Sequence, residues 1–297
     1  MDRDLPSRKT NDLNAEPLPK RRLTIQIGAL ILLAMTAFAA NSIICRIALT
    51  QTRIDPASFT IIRILAGATT LTLIILWRKR HFRNYGSWRG AASLLIYAAA
   101  FSFSYVNLPA GTGALLLFGS VQATMVIAGL YHGEHLRTTQ WAGLLLAFCG
   151  LVVLVAPGIH APDPYSAILM AVAGIAWGFY SLFGRKLGDP LTATAGNFVK
   201  ATPFLLILLP FAGSVDSKGI ILALLSGSIS SGMGYALWYS ILPNLKAAQA
   251  ASVQLSVPII ASTAAIFVLG ENLTFNLAIA SVAILGGIGF VILGRGN

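Results

Sequence analysis

The chain has 297 residues, of which 56% are hydrophobic and 10% charged. So small a charged fraction cannot supply the polar coat of a soluble fold this long, which excludes a water-soluble domain. At about 20 apolar residues per crossing, roughly ten spans fit the length and leave no room for a separate soluble catalytic domain. The net charge of +11, from 21 Lys and Arg against 10 Asp and Glu, would suggest nucleic acid in a soluble protein. Its placement argues for a membrane surface instead, and no nucleic-acid partner is expected.

In chain order, residues 1–22 carry Arg3, Arg8, Lys9, Lys20, Arg21 and Arg22 in a polar, proline-containing stretch that reads as a disordered cytoplasmic tail, not a cleaved signal. Apolar runs follow at 23–47, 57–77, 88–107, 110–131, 140–157, 165–184, 192–211, 218–241, 247–269 and 275–294. Ten transmembrane helices are therefore expected. With both termini in the cytoplasm, sixteen basic residues fall inside and only Arg53 and Lys218 outside; Arg46, Arg63 and Lys200 lie within spans. Cys45 and Cys149 both sit in apolar stretches and read as small core residues. His132 and His135 bracket Glu134 at a spacing compatible with a metal, but no further ligand is near, so no metal or other cofactor is expected.

Sliding the chain by 137 positions matches Gly133-Glu134-His135-Leu136 with Gly270-Glu271-Asn272-Leu273, at the end of the fourth and ninth spans. Asp55-Pro56 before the second span pairs with Asp189-Pro190 before the seventh, and Phe38 to Arg46 pairs with Trp177 to Arg185. Each half then holds five helices, residues 23–157 and 165–294. Because five is odd, the second copy enters the membrane from the opposite side, the plan of transporters that alternate access around a site between inverted repeats.

Ala40-Asn41-Ser42 before Arg46, Ile61-Ile62-Arg63 in the second span, and the repeated G-E-x-L followed by glycine-bearing helices (Gly143 and Gly150; Gly286, Gly287 and Gly289) carry a resemblance over residues 23–294. The chain resembles the drug/metabolite transporter superfamily in its EamA-like ten-helix branch. That resemblance implies an all-α membrane protein of two inverted five-helix repeats, lodged in a bacterial inner membrane. It also implies export of small metabolites, amino acids typically among them.

The acids all lie in the tail, in loops or at helix ends, so no carboxylate waits in mid-membrane for a cationic drug; neutral, zwitterionic or anionic cargo is expected. Glu134 and Glu271 read as acids in the first turn of the helix that follows each. Arg63, about 9 Å of helical rise from a span end, reads as snorkelling to the interface, and Arg46 has the same exit. Lys200, about 12 Å in, requires a polar partner or a wet cavity: either helix-end carbonyls hold it or it handles substrate. The candidate substrate-binding set is Asn41, Tyr97, Gln122, Trp177, Tyr180, Tyr235, Trp238, Gln254 and Lys200. Apart from the lysine these are aromatic and amide groups near mid-span, which need partners in other helices or a water-filled cavity. Pro258 is expected to interrupt the ninth span near its middle, and Gly232-Met233-Gly234 to loosen the eighth.

The chain lacks G-x-x-x-x-G-K-[ST] and H-E-x-x-H, so neither ATP coupling nor a zinc hydrolase follows from it. The expected function is secondary transport, most directly export of neutral or aromatic amino acids by alternating access. Export of other small organic metabolites or drugs is the alternative, an intramembrane enzyme a distant one. Since one chain supplies both halves, a monomer suffices.

Overall fold

A computed structural model describes residues 20–78, 86–133, 135–155, 162–184, 189–241, 245 and 253–293. The first half supplies α1 (Lys20–Gln51), α2 (Pro56–Trp77), α3 (Trp88–Ser104), α4 (Ala110–Tyr131) and α5 (Thr138–Val155). The second supplies α6 (Pro164–Gly184), α7 (Pro190–Ala201), α8 (Ser217–Ile241), α9 (Ser256–Leu269) and α10 (Phe275–Leu293). There is no strand among the described residues. Six helices, α1, α2, α4, α5, α6 and α8, are long and apolar enough to cross a membrane; α3, α7 and α9 are shorter, and α10 contributes the apolar stretch Phe275–Val291. Among the described residues, six of the ten expected crossings have that length and composition. Large apolar side chains such as Leu73, Leu145, Phe148, Ile168 and Phe267 are exposed, as the lipid-facing surface of a multi-pass membrane protein requires.

Local chemistry sets the helix starts. Asp55 caps α2, accepting from the Ser58 N–H at 2.8 Å, with Pro56 at the first helical position, where its missing N–H costs nothing. Ser87 caps α3 through Gly90, and Asp216 caps α8 through Gly219. The helix ends preserve the duplication: Gly133, after α4, and Gly270, after α9, both have left-handed backbones (φ 85° and 67°), so the repeated glycine does the same job twice. The tail expected over 1–22 lies outside the described residues except for its last three, which belong to α1, and Glu134 lies outside them too.

Most of the packing is exchange-symmetric. Helix α3 lies on α6 as α8 lies on α1; α4 lies on α6 as α9 lies on α1; and α3 lies on α7 as α8 lies on α2. Each of the pairs α2–α7, α4–α9 and α5–α10 joins a helix to its own counterpart. A two-fold relation between the halves produces this pattern. Glycine permits the closest crossings. A Cβ on Gly143 would stand 2.5 Å from the Gly287 carbonyl oxygen, joining α5 to α10, and one on Gly174 would stand 2.5 Å from that of Leu117, joining α6 to α4.

Two irregularities fall in the second half. From Ser226 to Met233 helix α8 widens into a π-turn stretch, reaching the expected weak point at Gly232-Met233-Gly234 but starting six residues before it. Helix α9 starts at Ser256, so Pro258 stands at its third residue and not in the middle of a described helix. A turn at Leu255 precedes it. Lacking an N–H, Pro258 cannot donate to the carbonyl four residues back, that of Gln254.

Candidate functional site

Between the halves lies a cavity of about 30 Å³, room for about two water molecules. Helix α1 contributes Phe38, Asn41 and Ser42, α3 contributes Tyr97 and Phe101, and α4 contributes Leu117 and Phe118. The second half contributes Trp177 from α6, Ser230, Ser231 and Tyr235 from α8, and Gln254 just before α9. Trp177 is its centrepiece: its ring centroid lies 4.8 Å from Tyr97, 5.1 Å from Tyr235 and 5.2 Å from Tyr180. Gly174 and Gly178 press α6 onto α4 on either side of it, which turns Trp177 off that contact face and into the cavity.

Of the nine residues proposed from sequence, Asn41, Tyr97, Trp177, Tyr235 and Gln254 line this cavity together. Tyr180 and Trp238 stand behind the lining, the first stacked on Trp177 and the second edge-on to Phe38 at 6.2 Å. Gln122 is buried one turn beyond Phe118, outside the lining, and its Nε2 has no hydrogen-bond partner among the described residues. Lys200 is placed elsewhere. Its ammonium donates to the Gly86 carbonyl at 2.8 Å and lies 5.9 Å from the centroid of the Trp88 ring, which ties α7 to the start of α3.

Polar contacts brace the lining across the halves. Ser226 on α8 donates to Asn41 Oδ1 at 2.6 Å, and Asn41 Nδ2 donates to Tyr97 Oη at 3.5 Å. Arg63 differs from the sequence reading: it is 2% exposed and does not snorkel. Its Nη2 donates to Tyr97 Oη at 3.1 Å and its Nε to Ser231 Oγ at 3.2 Å, and its guanidinium carbon lies 5.0 Å from the Phe101 centroid and 5.3 Å from that of Tyr97. Ring faces and hydroxyls in the interior outcompeted the distant interface. Mid-span depth was the signal, and so was register: aligning Asp55-Pro56 with Asp189-Pro190 sets Arg63 opposite Asn197, a buried polar position in both halves. Ser42, Ser230 and Ser231 were missed because serine is too common in this chain to stand out.

Glu271 also departs from expectation. It does not open α10, which begins at Phe275 behind Thr274. Its carboxylate reaches across the halves to the start of α4, accepting from the Ala110 N–H at 2.8 Å and the Gly111 N–H at 3.4 Å, and it pairs with Arg46 at 3.8 Å. Arg46 donates in turn to the Tyr105 and Val106 carbonyls at 2.8 and 2.7 Å, gathering α1, the end of α3 and the start of α4. Arg46 is therefore fixed on carbonyl oxygens.

Two repeated halves of packed helices, apolar outside and enclosing an aromatic and polar cavity, define a membrane-transporter fold. The pattern of the EamA-like transporter family matches residues 26–156 and again 164–293, and the chain belongs to that family. An uncharacterized Pseudomonas aeruginosa protein is 50% identical over 282 residues, 94% of this chain and 97% of the relative. A Salmonella typhimurium protein named a probable amino-acid metabolite efflux pump is 25% identical over 65% of this chain and 70% of its own length. A Streptantibioticus cattleyicolor protein named a probable terminal-alkyne amino-acid exporter is 28% identical over 61% of this chain and 64% of its own. A crystal structure at 18% identity covers 89% of this chain and 98% of its own, with a TM-score of 0.64, a likeness of fold alone.

Proposed function

We propose that the protein is a secondary exporter of neutral, chiefly apolar or aromatic amino acids, working by alternating access around the cavity between its halves. The observation that carries this reading is the cavity itself: Tyr97 and Tyr235 packed on Trp177, hydroxyl and amide groups beside them, and no carboxylate among its described lining residues. An amino-acid side chain finds broad apolar contact there. With room for about two waters, the cavity is too small for an amino acid in this conformation, so cargo enters only after the helices that line it move apart. The relatives named for amino-acid efflux support the same cargo. The inverted halves, both termini in the cytoplasm of a bacterial inner-membrane protein, and action as a monomer complete the proposal.

Purified protein in vesicles, preloaded with unlabelled phenylalanine, leucine or tryptophan, should accumulate the labelled amino acid by counterflow that saturates. Unsaturable flux would indicate a pore, and no counterflow with any amino acid would overturn the cargo. The orientation is tested separately, since an impermeant thiol reagent added outside intact cells should label a cysteine placed at Lys218 but not one placed at Arg83.

A further inference from the structure

Arg63 is a buried cation without a counter-ion among the described residues. Among the described residues no carboxylate lies within ion-pair distance of it; Glu271 is taken up by Arg46 and the α4 start. A guanidinium has five N–H donors, and Arg63 places one on Tyr97 and one on Ser231. Among the described residues its Nη1 is buried with no partner, and so are Ser230 Oγ, on the cavity wall, and Gln122 Nε2, one turn beyond Phe118. Each of these groups can donate. Nη1 and the second N–H of Nη2 are left to donate, and together they can offer an end-on fork to two oxygens of a carboxylate. Tyr97, Phe101 and Ser231, which hold the guanidinium, are themselves cavity-lining residues. Gly227 lets α8 pack closely on α2 at Arg63, since even a methyl group there would collide with the Arg63 carbonyl oxygen.

We propose that Arg63 is the carboxylate-binding residue of the transport site, so that the cargo's own acid group supplies the missing counter-charge. The substrate class is then a small molecule with a carboxylate at one end and an apolar body against Trp177. The ammonium of an amino acid finds no acid to pair with and rests on the ring faces of Tyr97, Trp177 and Tyr235. This inference rests on the cavity being the transport site, but not on the cargo being an amino acid.

Binding is read by thermal unfolding of the purified full chain in detergent with matched pairs: phenylalanine against phenylalaninamide, and 3-phenylpropionate against 3-phenylpropionamide. The carboxylates should stabilise the wild type at concentrations at least tenfold lower than the amides. Arg63→Gln should erase that preference, while Arg63→Lys, which keeps the charge but loses the fork, should retain a reduced one. Equal stabilisation by acid and amide, no stabilisation by any carboxylate, or a folded Arg63→Gln that still prefers acids would each overturn the proposal. Should neither variant fold, the wild-type pairs decide alone. Failure of phenylalanine counterflow alongside an intact, Arg63-dependent acid preference would sink the amino-acid reading and leave this one standing.

Discussion

Glu271→Gln tests how a charge binds the halves. The carboxylate accepts from two N–H groups at the start of α4 and pairs with Arg46, and both side chains are about one-fifth exposed, 18% and 19%. Glutamine keeps one acceptor for Ala110 but turns a donor toward Gly111 or Arg46. Loss of negative charge at a partly buried helix start costs about 1 kcal/mol. Weakening of the charge-assisted bonds and of the partly screened ion pair adds about another 1 kcal/mol. The expected destabilisation of about 2 kcal/mol lowers the folded-to-unfolded ratio roughly thirtyfold. The contact lies within one packed group, for Gly111 on α4 presses against Ser262 on α9 beside it, so the cap should travel with that group during transport. Folded yield and thermal midpoint should therefore fall, and by more than counterflow per folded molecule changes. Normal yield with complete loss of flux would refute this and place Glu271 in the transport cycle.

Trp177→Ala, in correctly folded protein, should weaken transport of large apolar amino acids more than of small ones, because it removes the ring at the centre of the aromatic cluster. Equal loss across a substrate panel, or no loss, would put the site elsewhere. Gly227→Ala should destabilise by about 1–3 kcal/mol, since its methyl would meet Ala66 Cβ at 2.7 Å as well as the Arg63 carbonyl; an unchanged thermal midpoint would contradict the close α2–α8 crossing. Burial alone would raise the Asp55 pKa, but hydrogen bonds from the Ser58 and Gly213 N–H groups together outweigh it and hold the carboxyl below its usual value. Its contribution is thus present above the unfolded value of about 4 and lost as pH falls through the lower native one; Asp55→Ala should cost about 1 kcal/mol at neutral pH and flatten that acid loss in a thermal-unfolding series.

What could be read from the chain, and what could not, divides along range. Helix existence, the two-fold plan and the five cavity-lining residues among the nine candidates follow from quantities local in sequence: apolar run length, a repeated Gly-Glu-x-Leu, and polar or aromatic groups too deep for an interfacial belt. Arg63 and Glu271 do not. A mid-span arginine has two ways to satisfy itself, snorkelling or finding donors' partners inside, and the choice depends on whether Tyr97 on α3 and Ser231 on α8 stand within reach, which no property of α2 encodes. Likewise an acid after a helix-ending glycine looks the same whether it caps its own helix or one from the other half; only the meeting of α9 with α4 sends Glu271 to Ala110. Both errors concern charges, because a charge is satisfied over distances that cross helices, whereas apolar side chains are sorted by the face they occupy. The same reasoning explains why Lys200, the cation that looked deeper from sequence, proved the ordinary one: a carbonyl at Gly86 and the ring of Trp88 satisfy it near the start of α3. Arg63, which seemed to have an exit, keeps an unfilled donor among the described residues, behind the cavity-lining Tyr97 and Ser231.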